Sequence, residues 1–269
     1  MIKIQKHGSF LFPNSEGFIE PVFPEMQKEW KIIVDKTVEY YRTDFGDKIH
    51  SIYVRGSVAK GQAVKGVSDV DTYCVMKDDD FKPNPENAKA FNSKIVNEYP
   101  YCFQVELVAM SKNFIMDNHK RRMTLKTQGR CVYGEDLALE IEGQKLCDMY
   151  HVLPNFRLHS KVNLPNYLEM DKGNSPRLKS CCSWMMKNLL RSAYELIMLD
   201  EGKWTSDLFL CHQLVSEKFP EMKEYTYRAL DLALNPIDDG NEMTFLADKF
   251  YDFFESNLSL VKIKTTPLP

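Results

Sequence analysis

Asp69 and Asp71 stand two residues apart in Val67-Ser-Asp-Val-Asp-Thr-Tyr-Cys-Val-Met76, a run in which apolar and polar residues alternate. Such alternation is the pattern of a half-buried β-strand, whose side chains leave opposite faces in turn. Both carboxylates therefore share one face, where they repel each other unless a cation lies between them. Two oxygen ligands held ionised at neutral pH argue for a hard divalent metal. Upstream, Ile52-Tyr-Val54 reads as a short buried strand, and Gly56-Ser57 follows it closely. Gly61 and Gly66 lie in the gap between the two runs. The fold must accommodate a strand, a Gly-Ser turn, a glycine-containing loop and a second strand with an acidic face.

A third strand is expected over Phe103-Gln-Val-Glu106-Leu-Val-Ala-Met110, with Phe103, Val105 and Leu107 opposing Gln104, Glu106 and Val108. Glu106 is the only acidic residue in that run. A lone carboxylate among apolar neighbours is costly to bury without a partner, and a metal shared with Asp69 and Asp71 would supply one.

Helical patterns surround these strands. Trp30, Ile33, Val34, Val38 and Tyr41 recur at three- and four-residue steps, and Gly46 closes the stretch. Glu86 to Glu98 is a second helix, with Ala88, Phe91, Ile95 and Val96 on one side and Pro100 beyond its end. Residues 1–24 carry Pro13, Gly17, Pro21 and Pro24 and read as an extended lead-in packed on the body. The basic cluster Asn118-His-Lys-Arg-Arg122 reads as a solvated helix face, and Lys77-Asp-Asp-Asp80 as a solvated loop. The second half is helical throughout. Helices are expected over Arg177 to Leu199, from Ser206 or Asp207 to Pro220, over Glu221 to Leu234 and over Glu242 to Leu258.

Acidic residues outnumber basic ones, 38 to 35, which counts against a protein that grips long nucleic acid. The 7 cysteines include no Cys-x-x-Cys pair and read as buried thiols in a reducing compartment. The first residues lack the apolar core of a secretory signal, and no uncharged run is long enough to cross a bilayer. A cytoplasmic location is the expectation.

The three elements Val54-Arg-Gly56-Ser57, Ser68-Asp69-Val70-Asp71 and Val105-Glu106-Leu107 resemble the signature of the nucleotidyltransferase superfamily typified by DNA polymerase β. Cys131-Val-Tyr-Gly134 resembles the strand that closes the catalytic domain in bacterial members. The nearest resemblance is to two-domain aminoglycoside adenylyltransferases. It implies an α/β (α+β) catalytic domain with a mixed sheet over residues 1–140, and an all-α bundle over residues 141–269 closing the substrate cleft.

By that resemblance Asp69, Asp71 and Glu106 are metal ligands for two Mg²⁺ ions, with Glu106 either also taking the acceptor's proton or serving as a metal ligand only. Gly56, Ser57, Lys60 and Ser68 would meet the triphosphate of ATP, with Lys65 and Arg55 as further cations near it. Lys187 and Arg191, one turn apart, would clamp the triphosphate from the helical domain. Where some relatives carry a second lysine this chain has Ser206. Asp207, Glu195 and Asp171 are the candidates for binding a cationic acceptor. The implied reaction moves AMP from ATP onto a hydroxyl of a small molecule, with aminoglycoside-type antibiotics among the candidates. AMP transfer to a protein, of the toxin-neutralising type, is a second reading. A non-catalytic nucleotide-binding regulator is a third, and nucleic-acid extension a fourth.

Overall fold

The computed structural model describes residues 2–4, 6, 8–150 and 152–260. The chain folds as two compact units, Phe18–Gln144 and Met1–Gly17 with Lys145–Pro269.

The first unit opens on the two-residue strand β1 (Phe18–Ile19) and is built on β2 (Ile49–Arg55), β3 (Val70–Met76), β4 (Val105–Ser111) and β5 (Arg130–Gly134). The last four form one mixed sheet in the order β4-β3-β2-β5. β2 runs antiparallel to β3 and to β5, whereas β3 and β4 are parallel. Ile52, Tyr53 and Val54 are all fully buried, so this strand is covered on both faces.

On one face, Val54, Val70 and Val105 pack with Trp30, Ile33 and Val34 of α1 (Lys28–Phe45) and Ile95 of α3 (Pro85–Glu98). On the other, Tyr53, Tyr73, Val75 and Met110 pack with Ile115 of α4 (Lys112–Asp117) and Leu125 of α5 (His119–Gln128). The one-turn helix α2 (Gly56–Ala59) follows β2 directly.

Local chemistry explains the helix limits. Gly46, at φ 55° and ψ −130°, takes a positive-φ conformation that favours glycine and ends α1, and its N–H bonds back to the Arg42 carbonyl. Asn84 caps α3, accepting from the N–H groups of Glu86 and Asn87. Asn84→Ala is expected to cost about 1 kcal/mol, the usual worth of an N-cap, checked by denaturant titration with an unchanged m-value.

Two expectations need adjustment. The Asp-x-Asp strand starts at Val70, so Asp69 lies just ahead of it. The N–H groups of Val67 and Ser68 both turn back to the Val64 carbonyl, which keeps them out of the ladder. The helix α4 was not expected; Ser111 caps it by accepting from the Phe114 N–H.

In the second unit the longer helices are Leu164–Met170, Ser175–Glu195, Leu208–Lys218, Lys223–Leu234 and Gly240–Asn257. The expected helix ending at Leu199 breaks earlier: Ser175–Glu195 stops, and a separate turn, Met198–Glu201, ends on Gly202 at φ 64°. The opening segment belongs to this unit. Leu11 and Trp204 exchange backbone hydrogen bonds of 2.8 Å, and Ser9 N–H donates to Asp207 at 2.8 Å.

Candidate functional site

The sheet register assembles the site. Arg55, the last residue of β2, lies opposite Asp71 on β3, and Asp71 lies level with Glu106 on β4. Directly opposed positions on neighbouring strands send their side chains to the same face, so Arg55, Asp71 and Glu106 form one row across three strands. Tyr73 follows Asp71 on that face, the one covered by α4 and α5.

Arg55 ties the row together through its guanidinium. Its Nη2 lies 3.2 Å from Asp71 Oδ1 and hydrogen-bonds Glu106 Oε2. Its guanidinium stands 4.9 Å from the Tyr73 ring centroid, in cation–π contact. Arg121 flanks the same ring at 5.5 Å and donates to the Tyr73 hydroxyl at 2.8 Å. Burial, the largest single influence on Arg55, pulls its pKa down, but Asp71, Tyr73, Glu106 and Asp69 together outweigh it and hold the pKa above its ordinary value. The guanidinium is a permanent resident charge.

Immediately after Arg55 the chain needs Gly56. Its φ is +72°, and a Cβ placed there would stand 2.5 Å from Asp71 Oδ2. Backbone and the Asp71 carboxylate approach each other as closely as a residue without a side chain permits.

The loop that follows is tied at both ends. Ser57 Oγ donates to Ser68 Oγ at 2.9 Å, Ser68 Oγ accepts from Val64 N–H at 2.8 Å, and Gln62 N–H donates to the Ser57 carbonyl at 2.9 Å. The two serines thus fix the loop's shape as it stands. Lys60 closes the turn through its backbone N–H to the Gly56 carbonyl. Lys65 is directed elsewhere: it pairs with Glu29 at 3.2 Å and lies 5.4 Å from the Tyr101 ring.

The basic cluster of α5 differs from the expected solvated face. Arg121 turns inward to Tyr73, and Arg122 donates to the Met116 carbonyl. Both guanidinium groups serve the architecture behind the row.

In the helical unit, Lys187 and Arg191 are half-buried on Ser175–Glu195, and Arg191 Nε donates to the Ser206 carbonyl at 3.1 Å. Glu195 is 4% exposed, and its carboxylate accepts from the N–H groups of Val152 at 3.0 Å and Leu153 at 2.8 Å. Asp207 accepts from Ser9 N–H and holds the opening segment. Asp171 pairs with Arg177 at 3.3 Å. The acidic candidates of this unit are thus each engaged by neighbours within it.

Sequence reasoning expected Asp69, Asp71 and Glu106 to converge around metal. Among the described residues no three acidic, histidine or cysteine side chains converge closely enough to hold an ion in their present arrangement, and the Arg55 guanidinium bridges Asp71 and Glu106. The donor chemistry nevertheless fits a hard divalent cation. All three groups are carboxylates, two sit side by side across β3 and β4, and the pair already holds a positive charge.

Residues 34–124 match the nucleotidyltransferase domain family. Among solved structures, the chain is similar to spectinomycin adenyltransferase AAD(9) from Enterococcus faecialis, solved with ATP and spectinomycin. That likeness has a TM-score of 0.52 at 13% identity and covers 84% of this chain and 99% of the other; it speaks to the fold. A toxin-antitoxin structure with AMP-PNP aligns at a TM-score of 0.30 and 17% identity, covering 49% of this chain and 95% of that one, too low to support an argument. No curated protein sequence matches the chain. The Gly-Ser turn and the acidic row both lie inside residues 34–124, the stretch that matches the nucleotidyltransferase domain.

Proposed function

We propose that the enzyme moves AMP from ATP to a hydroxyl of a small molecule and releases pyrophosphate, with Mg²⁺ held by Asp69, Asp71 and Glu106. The observation that carries this reading is the row of Asp71 and Glu106 beside the Gly56 turn, within the matched domain. The shared fold with an adenyltransferase solved with ATP and spectinomycin supports ATP as donor and a small molecule, antibiotics included, as acceptor.

In the proposed reaction the acceptor oxygen forms a bond to the α-phosphorus, and the bond from that phosphorus to the bridging oxygen breaks. The electron pair leaves with pyrophosphate. Glu106, whose side chain is 42% exposed, takes the acceptor's proton. Mg²⁺, when bound, offsets the charge that builds on the entering and leaving oxygens. Gly56 leaves room for phosphate oxygens to approach the backbone, and the Ser57–Ser68 tie keeps the loop in one shape for them.

The test is pyrophosphate release from ATP and Mg²⁺, with and without a panel of aminoglycosides and spectinomycin, and again after chelation. Release that depends on both an acceptor and the metal is the expected result. Release that survives EDTA would overturn the metal assignment. Label from ATP accumulating on protein in place of the small molecules would overturn the acceptor class.

A further inference from the structure

Arg55 is the feature of the site that the reaction as written does not use. Its position is not casual. The register sets it directly opposite Asp71, Asp71 is level with Glu106, and the guanidinium bridges both carboxylates. Tyr73 supports it from one side, and Arg121 holds Tyr73 in place through the phenol oxygen. Its Nε is buried without a hydrogen-bond partner, so the side chain is not fully satisfied where it lies. An arginine kept only for packing would ordinarily be better satisfied. This one is aligned on the carboxylates at the expense of one donor.

We infer that Arg55 is a counter-ion competing with the divalent metal: it holds Asp71 and Glu106 together in the metal-free protein and weakens their affinity for the ion. The inference rests on the metal reading above. A cation entering between these carboxylates must either displace the guanidinium or bind a few ångströms from a fixed positive charge, and both oppose binding. Removing the guanidinium leaves mutually repelling carboxylates that a divalent ion would relieve. Arg55 is thus a positioning residue with two effects of opposite sign, holding the empty site together and setting a threshold for metal.

Mn²⁺ binding to the nucleotide-free protein, followed by electron paramagnetic resonance of the free ion, reads this without any turnover. Arg55→Gln is expected to bind Mn²⁺ at least about tenfold more tightly than the wild type. Arg55→Lys, which keeps the charge, is expected to stay within about threefold. Metal-free Arg55→Gln should melt below the wild type and gain more from added Mn²⁺. Equal or weaker Mn²⁺ binding by a folded Arg55→Gln, with tight binding by the wild type, overturns this inference and leaves the proposed function standing. A misfolded Gln variant leaves the decision to the Lys variant, where tightening beyond tenfold despite the retained charge would overturn the inference. Failure of wild type and variants alike to bind Mn²⁺, with ATP present or absent, overturns both readings.

Discussion

Asp71→Asn is expected to lower acceptor-dependent pyrophosphate release by about 10³-fold, equivalent to ~4 kcal/mol of transition-state stabilisation. Asp71 occupies the middle position of the row, opposite Arg55 and level with Glu106, so both neighbouring charges are arranged around it. Asparagine keeps the volume and one carbonyl oxygen but removes the charge that an ion would need. The fold should survive. Arg55 retains its hydrogen bond to Glu106, and the strand keeps Val70, Cys74 and Val75 fully buried. A melting temperature within about 5 °C of the wild type is the expected control. Retention of more than a tenth of the activity by a folded variant would remove Asp71 from the chemistry.

Gly56→Ala is expected to damage stability and rate together. The backbone there is at φ +72°, where an L-residue costs roughly 1–2 kcal/mol, before the added Cβ meets Asp71 Oδ2 at 2.5 Å. Relief of that contact requires the carboxylate to rotate away from the row or the turn to shift. Displacement of a reacting group by about 1 Å is worth about 10²-fold in rate. The expected outcome is therefore a loss of about 10²-fold in kcat/KM with a clear drop in melting temperature. A variant that lost stability but kept its rate would show that the turn's approach to Asp71 is structural alone.

How much of this was legible in the sequence depends on the length scale of each interaction. The amphipathic spacing of Trp30, Ile33, Val34 and Tyr41 and the Gly46 stop are local patterns, and the structure follows them. The run ending at Met76 does form a strand, but it starts at Val70 and is buried on both faces, not half-buried as its alternation suggests. Gly56 was legible as a turn glycine, but its reason, the nearby Asp71 carboxylate, depends on a register across a loop of more than ten residues. In the sequence Arg55 is one of several cations near a glycine-containing loop. Its actual partners follow from strand pairing, which no local pattern specifies.

The same limit applies to Arg121. Its cluster has the composition of a solvated helix face, and only the fold places Tyr73 within reach. Glu195 and Asp207 illustrate the converse. An acidic residue on a helical segment resembles a ligand-binding group until the backbone N–H groups of Val152, Leu153 and Ser9 are found to occupy it.

The central claim is that the row of Arg55, Asp71 and Glu106 marks a centre for nucleotidyl transfer. The most direct measurement follows the fate of each phosphate in parallel reactions with α-labelled and γ-labelled ATP, Mg²⁺ and the acceptor panel. The account predicts that the α-label moves to an acceptor while the γ-label leaves in pyrophosphate, and that Asp71→Asn slows both events by about 10³-fold. Transfer of the γ-label to an acceptor, with ADP as the other product, would contradict it.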